Sequence, residues 1–177
     1  EAGTDVKALA SVRGATMLHR VIDALRRCGV ERIAVVGGPE VRAACGADVE
    51  RVVDESPSGS ENLLRALHAW PRDGTSLLYA TSDLPYITAA AIQTFIERVP
   101  AGTLAIPLSE YAEFCARFPQ APPFGITLAG ERVVNGGVFM VPSESVESIA
   151  AVATRFFDSR KRPWRMAGLV GIPMLMR

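Results

Sequence analysis

The chain has few of the residues that most often mark metal and redox chemistry. It carries two histidines and three cysteines in 177 residues. His19 and His68 stand far apart, and no zinc-type ligand spacing connects them to a cysteine. Cys28, Cys45 and Cys115 are scattered and odd in number. That pattern points to free thiols in a reducing, cytoplasmic setting rather than to a disulfide framework. An excess of charge of one sign is also lacking, because 19 Lys+Arg balance 19 Asp+Glu. No global field therefore draws the chain to nucleic acid. No apolar run reaches the length needed to cross a bilayer, and no signal-peptide pattern is present. Two catalytic signatures are missing as well. No serine stands in a Gly-x-Ser-x-Gly elbow, and Gly37-Gly38-Pro39 lacks the G-x-G-x-x-G spacing of dinucleotide binding.

What is present is alternation of helical and strand-like segments, at a length suited to one domain. Met17 to Arg27 reads as a helix with Leu18, Val21, Ile22 and Leu25 on one face and Gly29 as its stop. Arg32 to Val36 is a β-branched run closed by two glycines, and Arg51 to Val53 is a weaker strand candidate. Ser58 and Glu61 have the capping-box spacing ahead of a helix carrying Leu63, Leu64 and Leu67. Ser76 to Thr81 is the clearest strand, and Thr88 caps a helix facing inward through Ala91, Ile92, Phe95, Ile96 and Val99. Thr103 to Ile106 is the next expected strand. The segment from Ser109 to Phe124, rich in proline and aromatics, has the look of an insertion that closes over a site. Gly125 to Leu128, a turn at Ala129-Gly130, and Val133-Val134 form an expected hairpin. Val138 to Val141 reads as a strand and Ser145 to Phe157 as a helix. The tail, residues 158–177, is basic over 160–165 and then apolar; residues 160–176 are candidates for docking a partner subunit or an anionic membrane surface.

Continuous apolar strands alternating with helices predict a three-layer α/β/α sandwich around a mostly parallel sheet. In such sheets ligands bind beyond the carboxyl ends of the strands. Segments 37–40, 56–62 and 82–85 lie there, and residues 135–137 join them only if the strand that follows runs antiparallel to its neighbours. Asp83 is the first candidate for chemistry. A carboxylate at the end of a buried strand can hold Mg²⁺, which takes one or two carboxylates plus substrate phosphates. Its plain alternative is a turn before Pro85. Asn135 can add an amide oxygen to a metal shell, and Gly136 and Gly137 let backbone approach a ligand closely. Lys7 can place a point charge on a phosphate. Ser58, Gly59, Ser60, Glu61 and Asn62 open a helix whose N-terminus favours anions. Capping accounts for Ser58 and Glu61, leaving Asn62 without a local task.

Taken in order, Lys7-Ala8-Leu9, Gly14-x-x-Met17-Leu18, Val35-Val36-Gly37, Glu61-Asn62-Leu63-Leu64, Thr81-Ser82-Asp83-Leu84-Pro85 and Asn135-Gly136-Gly137 resemble the MobA-like NTP transferases. These are nucleotidyltransferases related to molybdenum cofactor guanylyltransferase and to the cytidylyltransferase of isoprenoid biosynthesis. The resemblance covers roughly residues 5–157. It implies a Rossmann-like domain with a mixed sheet, of the nucleotide-diphospho-sugar transferase type. It further implies that Asp83 and Asn135 hold Mg²⁺, that Lys7 neutralises the triphosphate, and that segment 58–62, with Ser82 and Gly136, contacts the nucleotide. The implied reaction joins an NTP, CTP or GTP first, to a phosphorylated small-molecule acceptor and releases pyrophosphate. A first strand with its glycine-rich loop has no counterpart before Lys7 and is expected upstream of Glu1. Whether the protein forms a homodimer stays open.

Two other readings use the same residues. One is a nucleotide-binding or interaction module of this fold without efficient transfer. The other, a nucleotide-sugar glycosyltransferase, predicts an Asp-x-Asp pair, whereas Ser82-Asp83-Leu84-Pro85 has a single acid.

Overall fold

A computed structural model describes residues 6–121, 125–128, 130–150 and 152. The chain enters through a 3-10 turn at Lys7–Leu9 and a tight hairpin of β1 (Ser11–Val12) and β2 (Ala15–Thr16). Its two turn residues, Arg13 and Gly14, both have positive φ, +51° and +83°. That is the backbone handedness a two-residue hairpin turn requires.

Helix α1 spans Met17–Arg27, as its apolar spacing predicts, and buries Leu18, Val21, Ile22 and Leu25. Thr16 caps it by accepting the His19 amide at 3.1 Å. Strand β3 (Ala34–Val36), helix α2 (Pro39–Cys45) and strand β4 (Arg51–Val53) form a crossover unit in which β3 and β4 pair parallel. Helix α2 was not expected after the two glycines that close β3; Pro39 opens it, and proline at a first helical position is well placed because its missing N–H would go unpaired anyway. At the start of these strands, the Arg32 and Arg51 guanidinium groups both lie over the Trp70 ring, 4.5 and 4.6 Å from its centroid. Glu50 accepts from both arginines, and the Arg32 hydrogen bond above all lowers its pKa to about 2.

Helix α3 (Gly59–Leu67) starts at the Ser58 cap, β5 is Ser76–Ala80, and α4 (Ala89–Arg98) starts at the Thr88 cap. Then follow β6 (Leu108–Glu110), α5 (Tyr111–Arg117), β7 (Ile126–Leu128), β8 (Glu131–Asn135) and β9 (Val138–Pro142). The hairpin expected around residue 130 is present as β7–β8, and β6 pairs with the other edge of β8. Strand β9 runs antiparallel to β5, from Ser76 opposite Pro142 to Ala80 opposite Val138. Side chains of β5 alternate between two apolar clusters. Leu78 and Ala80 pack with α1, Val41 and Ile92, whereas Leu77 and Tyr79 pack with Leu67, Val141 and Val146. Period-two alternation thus sets an apolar cluster on each face of one strand.

Two expectations need correction. The mostly parallel sheet is not what the described strands form: only β3 and β4 pair parallel, while β5–β9 and β6–β8–β7 are antiparallel. Thr103 to Ile106 is no strand, since only Ala105 makes an isolated bridge, to Met140. Leu104 and Ile106 are exposed, and Pro107 removes a donor where the run would continue. Residues 146–150 are helical as expected. The rest of the expected helix to Phe157, apart from Val152, and the tail 158–177 lie outside the described residues.

Candidate active site

Strand β5 stops at Ala80, and the chain turns through Thr81–Pro85. The turn carries Asp83, whose Oδ2 accepts from Lys7 Nζ at 2.5 Å. The two side chains are 38% and 75% exposed, so both remain within reach of a ligand. The Lys7 hydrogen bond, opposed by partial burial and helped by Thr81, holds the Asp83 carboxyl below the ordinary aspartate range. Asp83 is therefore an anion at neutral pH, and Lys7 its resting counter-ion. Nearby Tyr79 is pushed the other way, first by burial and then by the charge on Asp83.

The antiparallel course of β9 meets the condition for the second segment. Asn135-Gly136-Gly137 immediately precedes β9, and Ala80 at the end of β5 faces Val138 at its start. The two turns consequently touch. The Gly137 carbonyl accepts from the Thr81 amide at 3.0 Å. Gly137 has φ +67°, and a Cβ there would lie 2.9 Å from Thr81 Oγ1 and 3.0 Å from Leu84 Cδ2. Only glycine fits this approach without strain. Gly136 donates to the Pro107 carbonyl at 3.1 Å. Asn135 is exposed, and its Oδ1 accepts from the Gly137 amide at 3.2 Å.

Segment 58–62 is largely satisfied from within. Ser58 Oγ accepts from the Glu61 amide at 3.4 Å. The Glu61 carboxylate does not reach back to the cap; it accepts from the Ser56 hydroxyl and from Arg65. Asn62 does have a local task. Its Oδ1 accepts from the Ser56 amide at 2.6 Å, and its Nδ2 donates to the Ser56 carbonyl at 2.9 Å. This bidentate clasp holds the loop that precedes α3. Asn62, Ser82, Gly37 and Glu55 border one end of a 780 Å³ cavity between β3 and β5. Ser60 is buried, and Ser58 and Gly59 are exposed at the helix start.

Arg13 was given no role from the sequence. Its guanidinium stands 5.9 Å from the ring centroid of Tyr86, which follows the Asp83 turn. The only hint was an Arg-Gly pair between two short extended segments, a signal shared by many ordinary turns.

Among the described residues no group of three or more His, Cys, Asp and Glu could cage a metal ion. A cation here would rest on the Asp83 carboxylate, the Asn135 amide oxygen and oxygens from a phosphorylated substrate. Such an all-oxygen donor set suits a hard divalent cation.

Residues 2–132 match the family model of the MobA-like NTP transferase domain. The chain belongs to this family. It is a nucleotidyltransferase with a Rossmann-like fold. No curated protein matches it. Among solved structures, a hypothetical transferase from Thermus thermophilus is similar at 26% identity and TM-score 0.83, covering 98% of this chain and 72% of that one. A synthetase for CMP:2-keto-3-deoxy-manno-octonic acid, complexed with CTP, is similar at 16% identity and TM-score 0.60, covering 95% of this chain and 83% of its own. A manganese complex of Rv0371c from Mycobacterium tuberculosis is similar at 18% identity and TM-score 0.54, covering 81% and 67% respectively. The last two share the fold with this transferase.

Proposed function

We propose that this transferase is Mg²⁺-dependent and moves a nucleotidyl group from an NTP, CTP or GTP first, to a phosphorylated small-molecule acceptor, releasing pyrophosphate. The observation that carries the reading is the Lys7–Asp83 contact at the end of β5, set against the Asn135-Gly136-Gly137 turn. An acceptor phosphate oxygen attacks the α-phosphorus and forms a new P–O bond. The bond from that phosphorus to the α–β bridging oxygen breaks, and its electron pair leaves with pyrophosphate. Lys7, released from Asp83, donates to the phosphate oxygens and offsets the charge that builds on the leaving group. Asp83, with Asn135, would hold Mg²⁺, which when bound supplies Lewis-acid neutralisation of the same phosphates. The base and ribose lie toward segment 58–62 and Ser82, at the cavity mouth beyond the strand ends. There the Asn62 clasp on Ser56 keeps the loop in position. The free thiols of Cys28, Cys45 and Cys115 support a cytoplasmic setting.

A thermal-shift screen of the four NTPs, with and without Mg²⁺, tests this directly. One NTP should stabilise the protein by about 2.7 kcal/mol at a hundredfold excess over its dissociation constant. The Mg²⁺-dependent part should vanish in Asp83→Ala. Stabilisation that is indifferent to Mg²⁺ and unchanged in Asp83→Ala would refute the assignment.

A further inference from the structure

We infer, on the nucleotidyl-transfer reading proposed above, that Arg13 receives the terminal phosphate of the nucleoside triphosphate, with the Tyr86 ring behind it. Among the described residues Arg13 alone, apart from glycines, has a positive φ, +51°. It fills the first position of the two-residue turn between β1 and β2, with Gly14 at the second. Turns of this hand are best made by Asn-Gly or Asp-Gly, because a short polar side chain tolerates the left-handed region. Arginine is a poor choice for the turn itself. Backbone strain of this kind gathers where the side chain has another task. The strained turn is also held in place. Arg20 donates from Nε to the Val12 carbonyl at 2.8 Å and from Nη2 to the Arg13 carbonyl at 3.1 Å. One arginine of α1 thus fixes the backbone from which Arg13 projects.

Its charge is uncommitted. Arg27, Arg32, Arg42, Arg51, Arg65 and Arg72 each meet a carboxylate. Among the described residues Arg13 meets none. Its guanidinium stands over the Tyr86 ring at 5.9 Å from the centroid, the outer limit of a cation–π contact. Both side chains are exposed. An exposed guanidinium steadied by an aromatic ring suits bidentate capture of a phosphate. Lys7 already has Asp83 as counter-ion, so the charge on Arg13 is the one beside this turn that no carboxylate offsets. Its place decides which phosphate it meets. Helices α1 and α4 pack together on the face of β5 that carries Leu78 and Ala80, whereas Leu67 of α3 packs on the opposite face. The β1–β2 hairpin runs directly into α1, and Tyr86 lies just before the Thr88 cap of α4. Arg13 and Tyr86 therefore stand at the starts of α1 and α4, across the end of β5 from segment 58–62 at the start of α3. Lys7 comes from the α1 side too, since Ala8 and Leu9 pack with that cluster. A nucleotide with its base and ribose at 58–62 and its phosphates passing Asp83 and Lys7 ends on the α1–α4 side. The γ-phosphate reaches Arg13; a diphosphate or monophosphate stops short of it.

Arg13→Asn tests this, because it removes the guanidinium and installs the side chain the turn prefers, so the hairpin is kept. Arg27→Ala is the control, removing a cation from the last turn of α1. Isothermal titration with Mg²⁺ present measures both variants and wild type against the triphosphate, diphosphate and monophosphate of the base that wild type binds best. Arg13→Asn should be at least as stable as wild type in urea, yet bind the NTP about tenfold more weakly, the loss of one charge-assisted contact. Its affinity for the NDP and the NMP should be unchanged, and Arg27→Ala should match wild type throughout. Wild-type affinity for the NTP in Arg13→Asn overturns the inference. An equal loss for NTP and NDP also overturns it, by moving the contact to the β-phosphate. So does a loss shared by all three nucleotides or by Arg27→Ala, which marks a fold defect or a general charge effect. Failure of wild type to bind any NTP is a separate result, which removes the nucleotidyl-transfer reading and this assignment with it.

Discussion

Replacing Gly137 by alanine should cost the protein about twice as much as the same change at Gly102. The two glycines have almost the same backbone, φ +67° and +69°. Forcing an L-residue into that left-handed region costs about 1–2 kcal/mol at either site. What differs is the space for the new methyl. At Gly102 no heavy atom lies within 4 Å, whereas at Gly137 the Cβ would meet Thr81 Oγ1 at 2.9 Å and Leu84 Cδ2 at 3.0 Å. Overpacking of this kind adds about 1–3 kcal/mol. Urea unfolding should therefore give a loss of about 1–2 kcal/mol for Gly102→Ala and about 2–5 kcal/mol for Gly137→Ala. The excess belongs to the contact between the two turns, so Thr81→Ala in the Gly137→Ala background should recover about 1 kcal/mol of it in a double-mutant cycle. Equal losses at the two glycines, or no coupling to Thr81, would refute the close packing of the Asp83 and Asn135 turns.

Two further outcomes follow from the same geometry. Asn62→Ala removes both hydrogen bonds of the clasp on Ser56; it should cost about 1–3 kcal/mol in urea unfolding and speed exchange of the Ser56 amide. The Asp83 carboxyl is depressed in the folded state, so the stability it contributes is present above the unfolded aspartate value of about 3.9 and is lost as pH falls through the lower folded value. The gap between wild type and Asp83→Asn should be within about 1 kcal/mol at pH 6, because the pair is partly exposed, and should close as the pH falls through the lowered folded value.

Helix α1 was legible from its apolar spacing and the Gly29 stop, and α3 and α4 from apolar spacing joined to the Ser58 and Thr88 caps; Thr16, Ser58 and Thr88 all cap as hydrogen-bond acceptors. The β7–β8 hairpin was legible from its turn. Strand direction was not, because no local pattern in Val138–Val141 distinguishes a parallel from an antiparallel neighbour. That mattered for the site: Asn135 reaches the Asp83 turn only because β9 runs against β5. Thr103 to Ile106 misled because an apolar run resembles a strand whether or not an edge is there to receive it. Lys7 and Asp83 lie 76 residues apart in sequence, and nothing between them predicts a contact; they were singled out by residue type and order alone. For Asn62 the lesson is reversed. A polar residue left over after capping looked like a ligand contact, and the structure occupies both ends of its amide with one backbone unit.

The Asp83 and Asn135 turns leave the same end of one antiparallel pair, so their separation is governed by a single ladder and not by the helices packed around it. Core substitutions can loosen or shift those helices without changing that spacing. A slip of β9 against β5 that keeps each side chain on its own face must be two residues long, and it carries one turn away from the other by about 7 Å. No intermediate setting exists. The spacing between the two turns is thus quantised: the ladder holds it intact while the surrounding sequence drifts, and it fails all at once when the register is lost.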